Sequence, residues 1–370
     1  MLLELTSEQE FFRDTTARFL AANAPVAELR RLRDDPAGFD RSYWRRGAEL
    51  GWTSLLVSEA EGGVSISNSG LIDLTVAAYE FGRHAAPGPL LATNIVAGAL
   101  SAAGGNQHLI LGLLDGSAIG TWCISEAGPP LEITVQGDEL VLHGVKRPVE
   151  SADQASHLLV TGKTGDGLTQ VIVPAAAKGV TRQPLRTVDL TKRFSIVRFD
   201  QVRVPRASAL GRIGQAAGDV ERQLQQAIVI LNAEAVGAMQ AAFDMTVEWA
   251  FDRYSFGRPL ASYQALKHRF AQLATWLQAS HAISDEAARA VSEGKPDAAE
   301  LASAAKAYIG EYGPELVQDC VQLHGGIGVT FEHDLHLFLR RVTLARALLG
   351  TPDEHRRRLA DLVARKEISS

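Results

Sequence analysis

The sequence predicts an α+β protein, mainly α, with an N-terminal helical domain, a middle antiparallel β domain and a C-terminal four-helix bundle. Three observations lead to this prediction. Helical patterns extend to about residue 115, short β-rich runs follow to about residue 214, and long helical stretches with few prolines occupy the rest. The expected domains are therefore residues 1–115, 116–214 and 215–370.

In the first domain, the opening helix has a capping-box pattern formed by Ser7 and Glu10, although such a pair also occurs by chance. A turn-rich stretch at residues 58–70 separates this region from two further helical patterns and a helix near residues 94–103. This part of the chain is therefore expected to be helical.

In the middle domain, Gly137 and Asp138 lie between two short β-rich runs, which is typical of a hairpin. Other runs alternate apolar and polar residues or are rich in branched side chains, as strands are. The expected strands include residues 133–135, 140–142, 157–161, 171–174 and 194–199.

In the last domain, residues 220–252 contain no proline and one glycine, which predicts a helix of about 50 Å at about 1.5 Å per residue. Small residues on it, from Ala233 to Ala242, would let neighbouring helices approach closely. Three further helical segments are expected near residues 261–292, 297–323 and 335–365. Long amphipathic helices of this kind usually form a bundle.

Composition narrows the function classes. The 370 residues include 37 Lys and Arg against 43 Asp and Glu, with a formal net charge of −6, and 46% are apolar. These values are ordinary for a globular protein, and the mild acidity argues against a nucleic-acid partner. No secretory signal or membrane-spanning run is expected, and two cysteines fit a reducing compartment. The prediction is a cytoplasmic protein without nucleic-acid or membrane partners.

One candidate binding segment follows the long helix and reads Arg253-Tyr-Ser-Phe-Gly-Arg-Pro-Leu260. Gly257 and Pro259 would break the helix, and Gln264 would start the next one. At such a break Arg253 could bind a phosphate through paired charged hydrogen bonds, and Phe256 could offer a flat face to a ring. The alternative is a helix–helix turn with a solvated arginine.

A second candidate segment reads Gln322-Leu-His-Gly-Gly-Ile-Gly328. Glycines directly after a helix allow a backbone to approach a ligand closely and leave amides free for an anion. The alternative is a helix C-cap with a flexible turn. The ten histidines show no spacing typical of metal ligands, so no metal site is expected.

These two segments, in this order and at this spacing, resemble the acyl-CoA dehydrogenase family. The similarity covers nearly the whole chain and also rests on LGWTSLLVSEAEGG and EFGRHAAPGPLLATN. The resemblance implies FAD as cofactor, an acyl-CoA thioester as substrate, α,β-dehydrogenation and electron transfer to an electron-transfer flavoprotein. It also implies a tetramer in which both segments reach the FAD of a neighbouring subunit. The cofactor-binding residues implied are Arg253, Phe256, Gln264, Gln322, Gly325 and Gly326.

The sequence departs from the family pattern at the catalytic base. Some members carry a glutamate directly before a Gly-Thr pair, where this chain has Leu349. Others carry it on the long helix, at the position of Ala227. Glu234 lies on the same helix seven residues later, roughly 10 Å along the axis, and is a weak candidate expected to lie too far away. A purely structural role for Glu234 is the alternative.

The sequence also departs where the family cradles the flavin ring. Residues 124–130 keep the Ser-Glu pair but lose the Gly-Ser-Asp that should follow. Pro148 replaces a tryptophan and Glu150 a threonine. A proline removes a ladder donor, and a carboxylate would oppose the negative charge of a reduced flavin.

These departures are selective, because the residues expected to serve a neighbour's FAD remain. The resulting hypothesis is the degenerate subunit of an α2β2 acyl-CoA dehydrogenase, similar to those of actinobacterial sterol side-chain breakdown, with a catalytic subunit as partner. Three alternatives stay open. They are a homotetramer that uses an unusually placed base such as Glu234, a non-enzymatic binding or scaffold member, and a related flavin monooxygenase or oxidase.

Overall fold

The computed structural model describes residues 4–35, 37–126, 128–165 and 167–369. Five α-helices come first in the described residues, and two of them, α3 and α4, are largely buried. Their bounds are α1 Ser7–Asn23, α2 Arg41–Glu49, α3 Gly70–Arg83, α4 Leu90–Ala103 and α5 Gln107–Leu114. The predicted capping residues are wrong, because the side chain of Thr6 accepts from the amide of Gln9 and the side chain of Gln9 accepts from the amide of Thr6.

The middle of the chain forms one eight-stranded sheet with the order β6-β7-β3-β2-β4-β5-β8, and β1 pairs in parallel with β4. Apart from this pairing and a short β2–β4 contact, the sheet is antiparallel, as predicted. The expected hairpin is confirmed, since Gln136 pairs with Glu139 across Gly137 and Asp138. The strands are β1 Gly120–Cys123, β2 Glu132–Gln136, β3 Glu139–Glu150, β4 His157–Thr164, β5 Gly167–Pro174, β6 Val180–Leu185, β7 Phe194–Pro205 and β8 Ala209–Leu210.

The last part of the chain is a helical bundle in which α6, α7, α8 and α9 pack on one another and α10 packs on α8. A two-residue hairpin, β9 Tyr254–Ser255 with β10 Arg258–Pro259, joins α6 to α7. The helices are α6 Ala217–Asp252, α7 Gln264–Glu293, α8 Ala298–His324, α9 Leu335–Ala347 and α10 Pro352–Ser369. The single helix expected over residues 335–365 is therefore two helices. Leu349 and Gly350 both have positive φ angles, which no helix tolerates, and Pro352 starts the next helix.

The N-terminal helices meet the bundle where α3 crosses α6 so closely that the two backbones are in contact. A Cβ placed on Gly237 would lie 2.0 Å from the carbonyl oxygen of Tyr79, and one on Gly82 would lie 1.9 Å from that of Glu234. No side chain fits at either position. The small residues of α6 thus fix the position of Glu234 relative to α3.

By length and composition alone, the helix α6 could cross a membrane. However, 78% of its most apolar stretch is buried inside the molecule. That is the environment of a core helix. The domain boundaries predicted after residues 115 and 214 both fall in segments between elements, namely between α5 and β1 and between β8 and α6. The division into three domains remains a proposal.

Candidate active site

A cavity lies where the three parts of the chain meet. Its walls come from α4, β1, β3, the start of β7, α6, α9 and the segment after α9. It contains about 650 Å³ of empty space, counting its open mouth. Most of the walls are apolar, and the charged side chains are grouped on β3, α6, α9 and the turn before β7. This arrangement is typical of a small-molecule site.

The charged side chains of the cavity wall bind one another. Lys192 donates from Nζ to Glu150 Oε1 at 3.1 Å, lies 3.2 Å from Glu234 Oε1, and contacts the carbonyl of Gly88 at 3.4 Å. Three acceptors thus surround the three N–H bonds of this ammonium. Lys192 is 6% exposed and Glu234 2% exposed, so the contact is a buried bridge between two carboxylates.

Arg341 of α9 completes this network. Its Nε donates to Asp189 Oδ2 at 2.5 Å, and its Nη1 donates to Glu234 Oε1. Its Nη2 lies within hydrogen-bond distance of the carbonyls of Ala85 and Ala86, at 3.0 and 3.1 Å, and of the hydroxyl of Thr191. All three nitrogens of the guanidinium therefore bind acceptors inside the protein.

Burial and pairing set the charge states of this network. Burial raises the pKa of Glu150 above its ordinary value, although Lys192 opposes the shift. Burial alone would also raise the pKa of Asp189, but Arg341 reverses the shift and lowers it. For Lys192, burial would lower the pKa, and the carboxylates of Glu150 and Glu234 outweigh burial and raise it. Lys192 and Asp189 are thus charged at neutral pH.

Three positions were considered for the catalytic base, and two of them lie on the wall of this cavity. Leu349 lies on its wall without a carboxylate, and Glu234 lies on the wall of the same cavity. Ala227 is fully buried elsewhere on α6. The axial separation along α6 therefore does not keep Glu234 away from the cavity, but its carboxylate is engaged by Arg341 and Lys192.

The segment that carries Leu349 is held from behind by two buried side chains. Lys306 of α8 donates to the carbonyls of Arg346 and Gly350, at 3.1 and 2.8 Å. The ring of His355 lies 2.8 Å from the carbonyl of Leu349. Leu349 is thus held in place at the cavity, although its side chain cannot transfer a proton.

On the sheet side, Pro148 and Glu150 both line the cavity from β3. Nearby, the ammonium of Lys146 forms an ion pair with Glu126 and donates to the carbonyl of Ile124 at 3.2 Å. The Ser-Glu segment is therefore tied to β3 by a buried lysine, which is 0% exposed.

The first candidate binding segment forms an exposed turn at the end of α6. Arg253 lies over the ring of Trp249, with its guanidinium carbon 5.8 Å from the ring centroid. The side chain of Phe256 is 98% exposed, and Gln264 lies at the first position of α7. The three predicted residues therefore share one surface turn.

The second candidate segment lies beside the first. His324 stacks on Trp249 with ring centroids 5.3 Å apart, so Trp249 joins Arg253 to the end of α8. Gln322 is exposed, and a Cβ on Gly325 or Gly326 would meet no atom within 4 Å. The structure thus brings the six predicted residues to one exposed end of the bundle.

Sequence reasoning missed the residues that hold these sites together. Lys192, Asp189 and Arg341 lie far apart in the chain, and no local spacing indicates that they meet. Arg30 was also missed, and it donates to the carbonyl of Phe331 at 2.7 Å and binds Asp334, which holds the loop after the glycines. Over the described parts of the chain, no group of three or more potential metal ligands is found.

Comparison with known proteins identifies the class of this fold and site. A model of the acyl-CoA dehydrogenase N-terminal domain matches residues 6–109, and one of the C-terminal domain matches residues 218–364. The chain belongs to the acyl-CoA dehydrogenase family, whose members are FAD-dependent oxidoreductases of lipid metabolism.

Among similar proteins, the acyl-CoA dehydrogenase IpdE2 of Mycolicibacterium smegmatis is 30% identical over 96% of this chain and 98% of its own. IpdE2 of Mycobacterium tuberculosis is 30% identical over 95% of this chain and 96% of its own. A solved variant of the Tcur3481–Tcur3483 steroid acyl-CoA dehydrogenase superposes with a TM-score of 0.88 at 29% identity, covering 98% of this chain and 99% of that one.

The two sites differ in how they fit FAD, the cofactor of this family. On β3 the cavity offers a flavin ring of this chain little to bind, because Pro148 has no N–H to donate and the neighbouring side chain is the carboxyl of Glu150. The exposed end of the bundle does fit part of a dinucleotide. Its glycines leave room for a close approach, and Arg253 can bind a phosphate.

Proposed function

We propose that this chain is the subunit without the catalytic base in an α2β2, FAD-dependent acyl-CoA dehydrogenase of lipid or sterol side-chain breakdown. Its partner is a catalytic acyl-CoA dehydrogenase subunit, and the complex passes electrons to an electron-transfer flavoprotein in the cytoplasm. In this role the chain supplies Arg253, Phe256, Gln264, Gln322, Gly325 and Gly326 to the FAD of its partner.

The observation that carries the proposal is the state of the two positions considered for the base that line the cavity. Dehydrogenation of a thioester requires a base that takes the α proton. Leu349 offers none, and the carboxylate of Glu234 is bound by Arg341 and Lys192 in a buried network. Glu234 Oε1 contacts both cations, so this carboxylate is already engaged by the protein itself.

The exposed end of the bundle supports the part played by a second subunit. Large apolar side chains are exposed around the two candidate binding segments, which is unusual for a surface without a partner. These side chains belong to Phe251, Tyr254, Phe256, Ile327, Val329 and Phe331. A partner that covers them would also bring its dinucleotide to Arg253 and the glycines.

The relatives support the chemistry and the assembly. IpdE2 is an acyl-CoA dehydrogenase by name, and the Tcur3481–Tcur3483 protein is a steroid acyl-CoA dehydrogenase with two named components. A ring-bearing acyl group and a two-component complex are therefore the first substrate class and assembly to test.

The test is to count flavin in the chain produced alone and in the chain produced with a candidate catalytic subunit. We expect little FAD and no turnover from the lone chain, and FAD with turnover from the complex. Absorbance spectra with protein quantification give the ratio, and native mass spectrometry gives the composition. One FAD per chain together with turnover from the lone chain would refute the proposal.

A self-sufficient homotetramer with Glu234 as base is the second candidate, because Glu234 lines the cavity beside Leu349. If that candidate is right, the lone chain is active and the Glu234→Gln variant loses the chemical step. The matched control is Glu248→Gln on the same helix, outside the cavity lining. Activity retained by Glu234→Gln would exclude this candidate.

A further inference from the structure

A polar groove lies between α1 and the end of α3, and it shares no lining residue with the cavity described above. It contains about 1350 Å³ of empty space, counting its open mouth. On α1 the groove is lined by residues 10, 13 and 17, whose spacing places them on one face of the helix. Its charged lining residues are Glu4, Glu10, Arg13, Glu80, Arg83 and His84.

Glu80 is the buried acid of this groove, with 4% of its surface exposed. Within the described residues, no donor lies at hydrogen-bond distance from its carboxyl. His84 Nδ1 is 3.6 Å from Glu80 Oε2 and lies closer, at 2.9 Å, to the backbone carbonyl of Glu80. Neither carboxyl oxygen is among the fully enclosed atoms without a partner, so both keep accessible surface. A ligand in the groove can therefore reach this acceptor.

The two arginines of the groove are bound by acids outside its lining. Arg13 Nη2 lies 2.9 Å from Asp14 Oδ1, and Arg83 Nη2 lies 3.1 Å from Asp244 Oδ2. The other two glutamates of the groove form no ion pair with any described residue. Carboxyls thus outnumber guanidiniums in and around the groove, and its charge is complementary to a cation.

We propose that this groove is a binding site for an ammonium group at the end of an aliphatic chain, with the Glu80 carboxylate as acceptor. The inference goes beyond the proposed function and does not depend on it. An ammonium can donate three hydrogen bonds, and a bond to a carboxylate is charge-assisted. The aliphatic part would lie against Leu5 and Ala17.

The chemistry of the groove selects an ammonium over other groups. Burial raises the pKa of Glu80 from 4.5 to about 7, although Arg83 and Arg13 oppose the shift, so the protein compensates the ionised carboxyl poorly. An alcohol could donate but would leave this charge uncompensated, and an anion would be repelled. No group of three or more potential metal ligands is found among the described residues, which disfavours a metal ion as the cation.

The first test compares n-butylammonium with n-butanol, which have the same carbon chain and differ in charge. Isothermal titration of the full-length chain at pH 8 and low ionic strength measures both affinities, because salt screens such a contact. We expect n-butylammonium to bind at least about tenfold more tightly than n-butanol. Equal affinities, or no binding of n-butylammonium, would overturn the inference.

The pH dependence gives a second readout on the unchanged protein. The probe resembles a lysine side chain, with a pKa of about 10.4, and stays charged from pH 6 to 8. With a pKa of about 7, Glu80 must lose a proton to bind it at pH 6, so the affinity should fall about tenfold between pH 8 and pH 6. A constant affinity over this range would contradict the role of Glu80.

Other charged groups near Glu80 have to be separated from it. They are Arg13 and Asp14 on α1, Arg83 and His84 at the end of α3, Asp244 on α6 and, beyond Tyr79, His281 on α7. Burial lowers the pKa of His84, and its protonation towards pH 6 would also repel the probe. The variant Glu80→Gln tells the two apart, because it removes the carboxyl and leaves His84 in place.

Glu80→Gln keeps the shape of the side chain and removes its charge. We expect it to bind n-butylammonium at least about tenfold more weakly at pH 8 and to lose most of the pH dependence. The matched control is Glu49→Gln on α2, which makes the same change in net charge at an exposed residue outside the groove lining. Melting temperatures confirm that both variants are folded. If both variants bind the probe equally well, the inference is wrong.

A third probe, Nα-acetyl-lysine N-methylamide, distinguishes two sources of the ammonium group. Binding of both this probe and n-butylammonium would support a lysine side chain of another protein. Binding of n-butylammonium alone would support a free amine, and binding of neither would overturn the site. Flavin content does not enter these measurements, so failure here leaves the proposed function standing.

Discussion

Glu234 and Arg341 form a buried ion pair that joins the middle of α6 to α9 at the wall of the cavity. Each residue is 2% exposed. Arg341 binds Asp189 as well, and Lys192 also contacts Glu234. The pair therefore belongs to a network that connects the helical bundle to the segment before β7 and, through Glu150, to β3.

Removing Arg341 should destabilise the protein strongly. Arg341→Met leaves the carboxylate of Asp189 buried without its cation, and we expect a loss of about 3–5 kcal/mol in the free energy of unfolding. Urea titration followed by circular dichroism measures this loss. The control is Arg203→Ala, which breaks the Arg203–Glu139 pair, whose side chains are 51% and 50% exposed. The control should lose about 1 kcal/mol or less, and equal losses would contradict the interpretation.

The crossing of α3 and α6 predicts opposite effects for two glycine substitutions on one helix. Gly237→Ala would place a methyl group 2.0 Å from the carbonyl oxygen of Tyr79, and we expect a loss of about 1–3 kcal/mol or more. Gly218→Ala meets no atom within 4 Å and should be neutral or gain up to about 1 kcal/mol. Melting temperatures of the two variants test this, and a tolerated Gly237→Ala would show that the helices can separate.

Lys306 predicts a pH dependence of stability. Burial lowers its pKa from 10.5 to about 8 in the folded protein. Below pH 8 both the folded and unfolded states hold the proton, so the full cost of burying the charge is present. As the pH rises from 8 towards 10.5, the folded state loses its proton first, so this contribution to stability increases.

The check is the difference in unfolding free energy between the wild type and Lys306→Met across this range. We expect the difference to shift in favour of the wild type as the pH rises. A neutral amine still has two N–H bonds for the carbonyls of Arg346 and Gly350. Parallel pH profiles for the two proteins would show that Lys306 does not titrate in this range.

The proposed contact with a partner's FAD can be tested without disturbing the fold. Gly326→Ala adds a methyl group that meets no atom of this chain within 4 Å, so the stability of the lone chain should hardly change. In the complex, the methyl group would obstruct a closely approaching dinucleotide, and we expect a reduced FAD content per complex. Gly218→Ala is the control. Unchanged FAD content in the Gly326→Ala complex would place the dinucleotide elsewhere.

Much of the fold could be predicted because its signals are local. The Gly137-Asp138 turn, the alternation from Phe194 to Phe199 and the uninterrupted run of α6 each act within a few residues. The break between α9 and α10 could not be predicted as easily. It depends on a positive φ at Leu349, a residue that rarely adopts one, and on Lys306 and His355, which hold that segment from other helices.

The candidate site also has one part that could be predicted from the sequence and one part that could not. The motifs around Arg253 and Gln322 are continuous in sequence, and the structure brings them together through Trp249 and His324. The charged network could not be predicted, because it joins residues of five separate segments. The axial distance from Ala227 suggested that Glu234 would be remote, yet the cavity wall follows α6 from Leu231 to Glu234 and leaves Ala227 outside.

The close contact of Gly82 with Glu234 and of Tyr79 with Gly237 also bears on how the molecule melts. With peptide planes touching and no side chains between them, α3 cannot shift along α6 without breaking the buried charges beside it. The N-terminal helices and the bundle should accordingly lose their structure in concert, and a heating scan should record a single endothermic peak for the two.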